Sequence, residues 1–224
     1  MIKFLKYLFK KDGKTMVLHI LMSFLLCLVY PHIFKPDSSI LFISSFTSLL
    51  IFFNIFVFTR SLSIMIKDFY SNERYFIFSL PIKKFNIVLS KVIYSTIYNS
   101  LIYISALSAT IFNSKEILLE LLKINTLKSG ITVILSTSLT IFCFISLIYL
   151  VIVISKILFN SSKATSASIF LTISLSLVVI FHYNFYYYDF YLLNSTILLH
   201  LICIITGLIL CYISGYLLKE KVDL

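Results

Sequence analysis

Charged residues are scarce in this chain. Only 12% of its 224 residues are charged, whereas 60% are hydrophobic, and the mean hydropathy is +1.03. No ordinary soluble core tolerates that balance, so the composition excludes a soluble globular protein and indicates an integral membrane protein. Charge is wholly absent from six windows, which are 16–34, 40–59, 92–112, 131–155, 164–188 and 190–218.

These six windows are long enough to cross a bilayer. The shortest has 19 residues and would measure about 28 Å as a helix, close to the thickness of the hydrocarbon layer. A charge at the centre of a span costs about 2.5–3.5 kcal/mol, so windows without charge are informative. We therefore predict an all-α, polytopic membrane protein that forms one membrane domain over residues 1–224. The predicted spans cover about 16–34, 40–66, 86–112, 129–156, 164–183 and 192–218.

Acidic residues are absent from all six windows, although a membrane enzyme or a proton-coupled carrier would normally place ionisable groups there. The four histidines are scattered and the four cysteines all lie within windows, so neither set has the spacing of a metal site or a disulfide framework. The four glycines form no phosphate-binding loop, and no serine comes with a base and an orienting acid. We therefore expect no catalytic residue, no metal, no cofactor and no enzymatic activity in this chain.

Tryptophan is also absent, so tyrosine must supply the aromatic belt at the membrane surface. The turn between the fifth and sixth predicted spans, residues 183–191, reads YNFYYYDFY. We interpret it as this belt rather than as a contact for a substrate. Asn54 and Asn99 lie within spans, where a buried amide typically joins two helices by hydrogen bonds.

The basic residues predict the orientation of the spans. With the amino terminus inside the cell, 15 of the 19 lysines and arginines lie in cytoplasmic segments, whereas the nine acidic residues divide almost evenly. The positive-inside rule and the attraction of anionic lipids account for this distribution, so no nucleic-acid partner is needed to explain the net charge of +10. Both termini are predicted to be cytoplasmic.

Residues 1–15 are predicted to form an interfacial helix on the inner leaflet. Lys3, Lys6 and Lys10 share one face of this segment, while Phe4 and Leu8 lie on the other. A basic anchor whose lysines snorkel to the surface, without any partner, explains the same pattern equally well.

An unusual cytoplasmic stretch, 71-SNERYFIFSLPIKKFNIVLSK-91, separates the second and third spans. Its start predicts a short helix, because Ser71 or Asn72 can cap it and Glu73 lies in its first turn. Pro81 would end this helix and suit the first turn of the next one. The stretch therefore predicts a short surface helix over 71–80, followed by an elbow with Lys83, Lys84 and Lys91 at the inner membrane interface.

A second amphipathic segment covers 113–130 on the predicted outer side. Glu116 and Glu120 line one face, and Ile117 and Leu121 line the other. Gly130 is predicted to stop this helix, which would lie in the outer interface.

The stretch 73–91 resembles the permease subunits of bacterial ATP-binding-cassette exporters of the ABC-2 family. Those proteins have a Glu, then Leu-Pro and an apolar residue, a small or basic pair, an apolar pair and a Lys that enters a span. The residues that match this order are Glu73, Leu80, Pro81, Ile82, Lys84, Val88 and Lys91. Chain length, six predicted spans and a short charged tail also fit the small peptide-export and immunity members. Lys83 departs from the pattern, because many relatives have Ser or Thr there as a helix cap.

The resemblance implies that the surface helix docks into a cleft on a separate ATPase subunit, the cognate ATP-binding partner, and transmits its movement to the spans. The implied docking residues are Glu73, Arg74, Tyr75, Phe76, Phe78, Leu80 and Pro81. A second permease, identical or related, and the membrane lipids are the other expected partners, in a bacterial plasma membrane. The substrate class that we expect is an amphipathic peptide or a lipid-like molecule, moved out of the cell.

Three alternatives remain from the sequence. The surface helix could be a structural elbow that packs on the protein's own spans. The chain could be a membrane-embedded substrate-binding subunit of the vitamin-uptake type, although the first span lacks the alanines typical of that class. It could also be an immunity or assembly protein that transports nothing.

Overall fold

The computed structural model describes residues 1–33, 58–67, 69–70, 80–113, 124–159, 161, 163–173 and 195–220. This part of the chain is helical and contains no β-strand. Its six helices are α1 (Ile2–Ile33), α2 (58–67), α3 (Lys84–Asn113), α4 (Ile124–Phe159), α5 (163–173) and α6 (Ser195–Glu220).

Four of these helices are long and apolar enough to cross a membrane. The segments that meet both conditions are Ile2–Val29, Lys84–Ala106, Ile134–Phe159 and His200–Glu220. The predicted all-helical character is therefore confirmed for the described residues, which contain four candidate membrane spans. The second and fifth predicted spans remain predictions, because 40–57 and 174–183 lie outside the described residues and the structure gives only α2 and α5 from them.

The first helix runs without a break from Ile2 to Ile33, so the structure does not separate an interfacial helix over 1–15 from the first span. Gly13 lies at the predicted junction, but a single glycine costs only about 1 kcal/mol in a helix, and the neighbouring turns continue through it. The predicted faces are present, since Phe4 and Leu8 are buried while Lys3 and Lys10 are exposed.

The fourth helix corrects the prediction for Gly130. Residues 114–123 of the predicted outer segment lie outside the described residues, whereas Ile124 begins α4 and the helix passes through Gly130. A glycine ends a helix only where the chain turns away in a left-handed conformation. Here apolar sequence follows Gly130 directly, and the stability of a 36-residue helix exceeds the small cost of one glycine.

The described chain divides into two compact units. One unit comprises Met1–Phe4, Ser63–Ile93 and Phe142–Leu224, and the other comprises Leu5–Leu62 and Tyr94–Ile141. We refer to them as the elbow unit and the amino-terminal unit, because the first contains the predicted elbow and the second contains most of α1.

In the amino-terminal unit, α1 packs along α3 in a parallel direction. Contacts begin with Phe9 against Tyr94, whose ring centroids are 5.0 Å apart. They continue through Ser23, whose hydroxyl lies 3.5 Å from the Ile102 carbonyl oxygen, and end where Cys27 packs with the small residues of α3. From α2, Ser61 accepts a hydrogen bond of 3.3 Å from the Asn99 amide, which is the helix-joining role predicted for this amide.

In the elbow unit, α4 and α6 also run parallel. Cys143 lies 3.6 Å from the Thr206 hydroxyl, and about one turn further along both helices the Ser146 hydroxyl lies 3.5 Å from Cys211. The buried side chains of α4 recur at helical spacing and form a stripe on one face. They are Ile145, Ser146, Ile148, Tyr149, Ile152, Val153 and Ser155.

Candidate functional site

The predicted docking segment is described only at its ends. Residues 71–79 lie outside the described residues, and with them the implied docking residues Glu73, Arg74, Tyr75, Phe76 and Phe78. Leu80 and Pro81 are described, as are the two residues that precede the segment. Both flanks belong to the elbow unit, so their contacts define how the segment is held.

The amino-terminal flank begins with Phe69, which is 1% exposed. Its ring meets the buried ring of Tyr149 on α4 edge to face, with centroids 5.9 Å apart. An aromatic pair of this geometry contributes about 0.5–1.5 kcal/mol beyond the area that it buries. Phe69 therefore anchors the chain to α4 immediately before the segment starts.

Tyr70 extends this anchor to the start of α5. Its hydroxyl oxygen lies 2.6 Å from Thr165 Oγ1 and 3.2 Å from the Ser161 carbonyl oxygen. Because the Thr165 hydroxyl itself donates to that carbonyl over 3.0 Å, its oxygen is available to accept the proton of Tyr70. The two hydroxyls and the carbonyl thus form one hydrogen-bonded group, in which the single proton of Tyr70 is donated either to Thr165 Oγ1 or to the Ser161 carbonyl.

A cation completes the flank. Lys156 Nζ, in the last turn of α4, lies 4.5 Å from the centre of the Tyr70 ring. Such a cation–π contact contributes about 0.5–1 kcal/mol at an exposed site and more where water is excluded. Tyr70 consequently contacts the end of α4, the α4–α5 connection and the first turns of α5. We call Tyr70, Lys156, Ser161 and Thr165 the Tyr70 clasp.

The carboxyl-terminal flank is the elbow, residues 80–83. Ile82 N–H donates to the Leu80 carbonyl over 2.7 Å, which closes a three-residue turn around Pro81, whose fixed φ angle suits the central position. The carbonyl of Lys83 then accepts from Asn86 N–H at 2.8 Å and Ile87 N–H at 3.3 Å. Lys83 is therefore the residue that caps α3.

The turn and the cap correct the prediction for Pro81 and show how Lys83 can begin a helix. Pro81 does not lie in the first turn of α3; it precedes the cap by two residues, because the chain needs a tight turn before the helix can start. Lys83 occupies the cap position with an exposed side chain that has no acceptor atom for backbone N–H groups. The cap is thus made by the backbone alone.

The start of α3 packs directly on the end of α6. A Cβ atom placed on Gly215 would lie 2.7 Å from the Cα of Phe85 and 2.8 Å from its backbone nitrogen. The ring of Phe85 also meets that of Tyr212, with centroids 6.2 Å apart. Only glycine allows this approach, so Gly215 fixes the elbow to α6.

The predicted interface lysines differ in exposure. Lys83 is exposed and Lys84 is half-buried, whereas Lys91 is 4% exposed on the packed face of α3. Lys83 is therefore the lysine of this group most accessible to a partner or to lipid headgroups. Lys91 is buried.

Sequence reasoning missed the residues that hold the flanks, namely Tyr70, Thr165 and Gly215. Tyr70 and Thr165 are 95 positions apart, and neither belongs to a recognisable motif. The sequence signal that could have identified Gly215 is its pairing with Gly207, because two glycines in an otherwise bulky span often mark close helix contacts.

Comparison of the chain with protein-family models, with curated proteins and with solved structures found no match. The interpretation of the site therefore depends on its own residues and contacts. The strongest of these are the two anchored flanks on either side of a short, charged and aromatic sequence.

Proposed function

We propose that this protein is the membrane-spanning permease subunit of an ATP-driven exporter similar to the ABC-2 family. It has six spans with both termini in the cytoplasm of a bacterial cell, and it moves an amphipathic peptide or lipid-like substrate outward. ATP hydrolysis belongs to a separate ATPase subunit, because the chain has no phosphate-binding loop. A second permease completes the transport pathway.

The observation that carries this proposal is the way in which the segment 71–79 is held. Its sequence, SNERYFIFS, combines an acid, an arginine and three aromatic residues, which is the composition that protein interfaces favour. One flank is fixed to α4 and α5 by Phe69 and Tyr70, and the other is fixed to α6 through Phe85. A displacement of the segment therefore reaches several helices at once.

This arrangement suggests how ATPase movement reaches the spans. Closure of the ATPase would displace the segment, and the Tyr70 clasp would transmit this displacement to the α4–α5 connection. The elbow would transmit it to α3 and, through Gly215, to α6. A segment can transmit movement only if its two ends are held in a defined arrangement, and the contacts of the two flanks provide this.

Helix directions support the six-span arrangement. Two spans that run in the same direction need an odd number of crossings between them. The parallel pair α1 and α3 has α2 between its members, and the parallel pair α4 and α6 has α5. These directions are the ones expected if the second and fifth predicted spans, to which α2 and α5 belong, each cross the membrane once.

The outward side chains of α1 and α6 fit contact with lipid and with a second permease. Large apolar residues such as Leu18 and Leu25 on α1, and Leu201 and Ile205 on α6, are exposed in the isolated chain. Lipid or a partner helix can cover such a surface without cost, because both are apolar.

The test is assembly with a cognate ABC ATPase subunit, to be sought among the genes that neighbour the gene for this protein. Truncating a well-packed interface aromatic commonly costs 2 kcal/mol or more, so Phe78→Ala should weaken ATPase binding by about thirtyfold. Glu73→Ala should leave assembly largely intact but reduce transport-linked ATP turnover, because a rim charge contributes less to affinity. Phe170→Ala provides the matched control, since this phenylalanine is 71% exposed on α5.

The two variants and the control should be compared in the purified complex, with thermal unfolding of the permease measured in parallel. Release of the ATPase by Phe78→Ala from a permease that unfolds at the wild-type temperature would support docking. If Phe78→Ala and Glu73→Ala both retain wild-type assembly and turnover, the segment is only an elbow and the proposal is wrong.

A further inference from the structure

A row of exposed lysines runs along one face of the first half of α1, within the amino-terminal unit. Lys6, Lys10 and Lys14 are all exposed, and their spacing of four residues places them one above the other on the helix. On the opposite face Leu8 is buried, so this part of α1 packs against the protein with its apolar side and presents its cations outward. We call Lys6, Lys10 and Lys14 the lysine stripe.

The same face of α1 becomes apolar directly after the stripe. Val17, Leu21 and Leu25 continue the line of Lys14 at intervals of three and four residues, and each of the three is more than half exposed. In a membrane-spanning helix such side chains are covered by acyl chains or by another helix. One line along α1 therefore passes from cations to apolar side chains, which is the order in which a phospholipid presents its headgroup and its acyl chains.

Contacts with α3 show where the stripe lies relative to the membrane surface. The partners of His19 and Ser23 on α3 are each 79 positions further along the chain, so the two helices advance together there. Phe9 instead meets Tyr94, six residues further along α3 than the same offset would place it, or about 9 Å. The first half of α1 is therefore inclined to α3 and lies closer to the membrane than a straight parallel helix would.

This inclination brings the stripe to the level of the headgroups. The uncharged stretch of α3 covers 92–112, and Phe9 packs against the third residue of that stretch. Lys6 and Lys10 lie within about one turn of Phe9, and the flexible stem of Lys14 can reach back along the helix to the surface. The headgroup layer is only about 5–7 Å thick on each side of the hydrocarbon, so the inclination is what allows all three lysines to reach it.

We propose that the lysine stripe binds the headgroups of anionic phospholipids in the leaflet where α1 begins. Its three cations lie within about 12 Å of one another along the helix, and no acidic residue in the described part of the chain forms an ion pair with them. An anionic headgroup supplies the opposite charge, whereas a zwitterionic headgroup has no net charge to offer. The inference does not depend on the proposed transport function.

An acidic protein is the other partner that three exposed lysines could attract. Such a protein would meet the lysines from the aqueous side and would leave the apolar continuation at Val17 and Leu21 uncovered. A lipid covers both parts with one molecule, because its acyl chains follow its headgroup along the same face of α1. We therefore assign the surface to lipid.

The experiment uses the full chain, purified in a neutral detergent and equilibrated with equal amounts of phosphatidylglycerol and phosphatidylcholine that have the same acyl chains. Native mass spectrometry then counts the lipids of each kind that the protein retains. Each lysine near an anionic surface favours association about fivefold. After screening, we expect the stripe to give a preference for phosphatidylglycerol of about tenfold, and this preference should fall when about 0.5 M salt is present during equilibration.

Variants assign the preference to the stripe. Combining Lys6→Gln, Lys10→Gln and Lys14→Gln in one chain should reduce the preference to about threefold or less, whereas arginine at the same positions should retain it. The matched control removes three exposed lysines from other helices, so that the net charge changes equally. Its substitutions are Lys67→Gln, Lys163→Gln and Lys219→Gln. The control should keep the wild-type preference, and both variants should unfold at the wild-type temperature without added lipid, because only exposed side chains are replaced.

Three results would overturn the proposal. Equal retention of the two lipids by the wild type would show that the stripe does not select anionic lipid, and an acidic protein would then be the partner to seek. Equal losses of preference in the stripe variant and the control would mean that the overall basic charge attracts the lipid. A stripe variant that keeps the wild-type preference would place the anionic lipid elsewhere on the chain.

Discussion

The packing of Gly215 on Phe85 gives the most direct test of how the elbow is held. In Gly215→Ala, the new methyl group would lie 2.7 Å from the Phe85 Cα and 2.8 Å from its backbone nitrogen. Carbon atoms pack at about 3.5–4.0 Å, so the two backbones would have to separate by about 1 Å. A separation of that size forfeits a quarter to a half of the dispersion energy across the contact. We expect a destabilisation of about 1–3 kcal/mol, the usual cost of overpacking.

Two other glycines provide a graded series of controls. Nothing lies within 4 Å of a Cβ placed on Gly13, so Gly13→Ala should stabilise α1 by up to about 1 kcal/mol through helix propensity. A Cβ on Gly207 would meet a side-chain atom of Phe142 at 2.7 Å, and a ring can move where a backbone cannot. Gly207→Ala should therefore fall between Gly13→Ala and Gly215→Ala.

The assay is thermal unfolding in detergent with a thiol-reactive fluorophore. Cys27 and Cys211 are 1% and 0% exposed and belong to different units, so they report the loss of structure in both. For a chain of this length 1 kcal/mol corresponds to about 2–4 °C, so Gly215→Ala should unfold about 5 °C below the wild type. An unchanged unfolding temperature for Gly215→Ala, or one above that of Gly13→Ala, would refute the described contact.

Three further predictions address the clasp, the amino-terminal unit and the topology. Tyr70→Phe keeps the ring beside Lys156 but loses the hydroxyl bonded to Thr165. The ATPase subunit should still assemble with this variant, while the rate of transport-linked ATP turnover should fall. An unchanged turnover rate would contradict the role of the Tyr70 clasp. Asn99→Ala should destabilise by about 0.6–1.7 kcal/mol, whereas Ser100→Ala, which removes a hydroxyl unpaired among described residues, should not. A cysteine replacing Lys83 should react with impermeant maleimide only in permeabilised cells, and reaction in intact cells would reverse the predicted orientation.

Composition and hydropathy predicted the class of fold because both depend on local sequence. A run of apolar residues without charge is stable as a helix in a bilayer whatever its neighbours are. The apolar stretches of α1, α3, α4 and α6 were therefore predictable, as was the bend at Pro81. The amide of Asn99 was also predictable as a helix-joining group, since few other partners exist for it within a span.

Element boundaries were less predictable, because weak local signals compete with the helix that surrounds them. Gly130 resembled a stop signal, yet a glycine costs only about 1 kcal/mol inside a long helix. At Lys83, the local sequence disfavours a helix start that the structure nevertheless contains. It is a poor cap by side chain, but the turn around Pro81 already directs its carbonyl toward the N–H groups of Asn86 and Ile87.

The contacts that hold the candidate site could not be predicted, because they join distant parts of the chain. The Tyr70 hydroxyl meets a residue 95 positions away, and Phe85 meets a glycine of the last helix. The spacing of residues along the sequence does not indicate such pairs.

The two flanks differ in how easily they can separate, and this difference suggests an order of events in the proposed transport cycle. The Tyr70 clasp consists of hydrogen bonds and a cation–π contact, each contributing about 1 kcal/mol, so it can open and close at small cost. The Phe85–Gly215 contact joins two backbones and cannot open without separating two helices along their packed surfaces. We therefore expect α3 and α6 to move together when the segment 71–79 is displaced, while the α4–α5 connection engages and disengages through Tyr70.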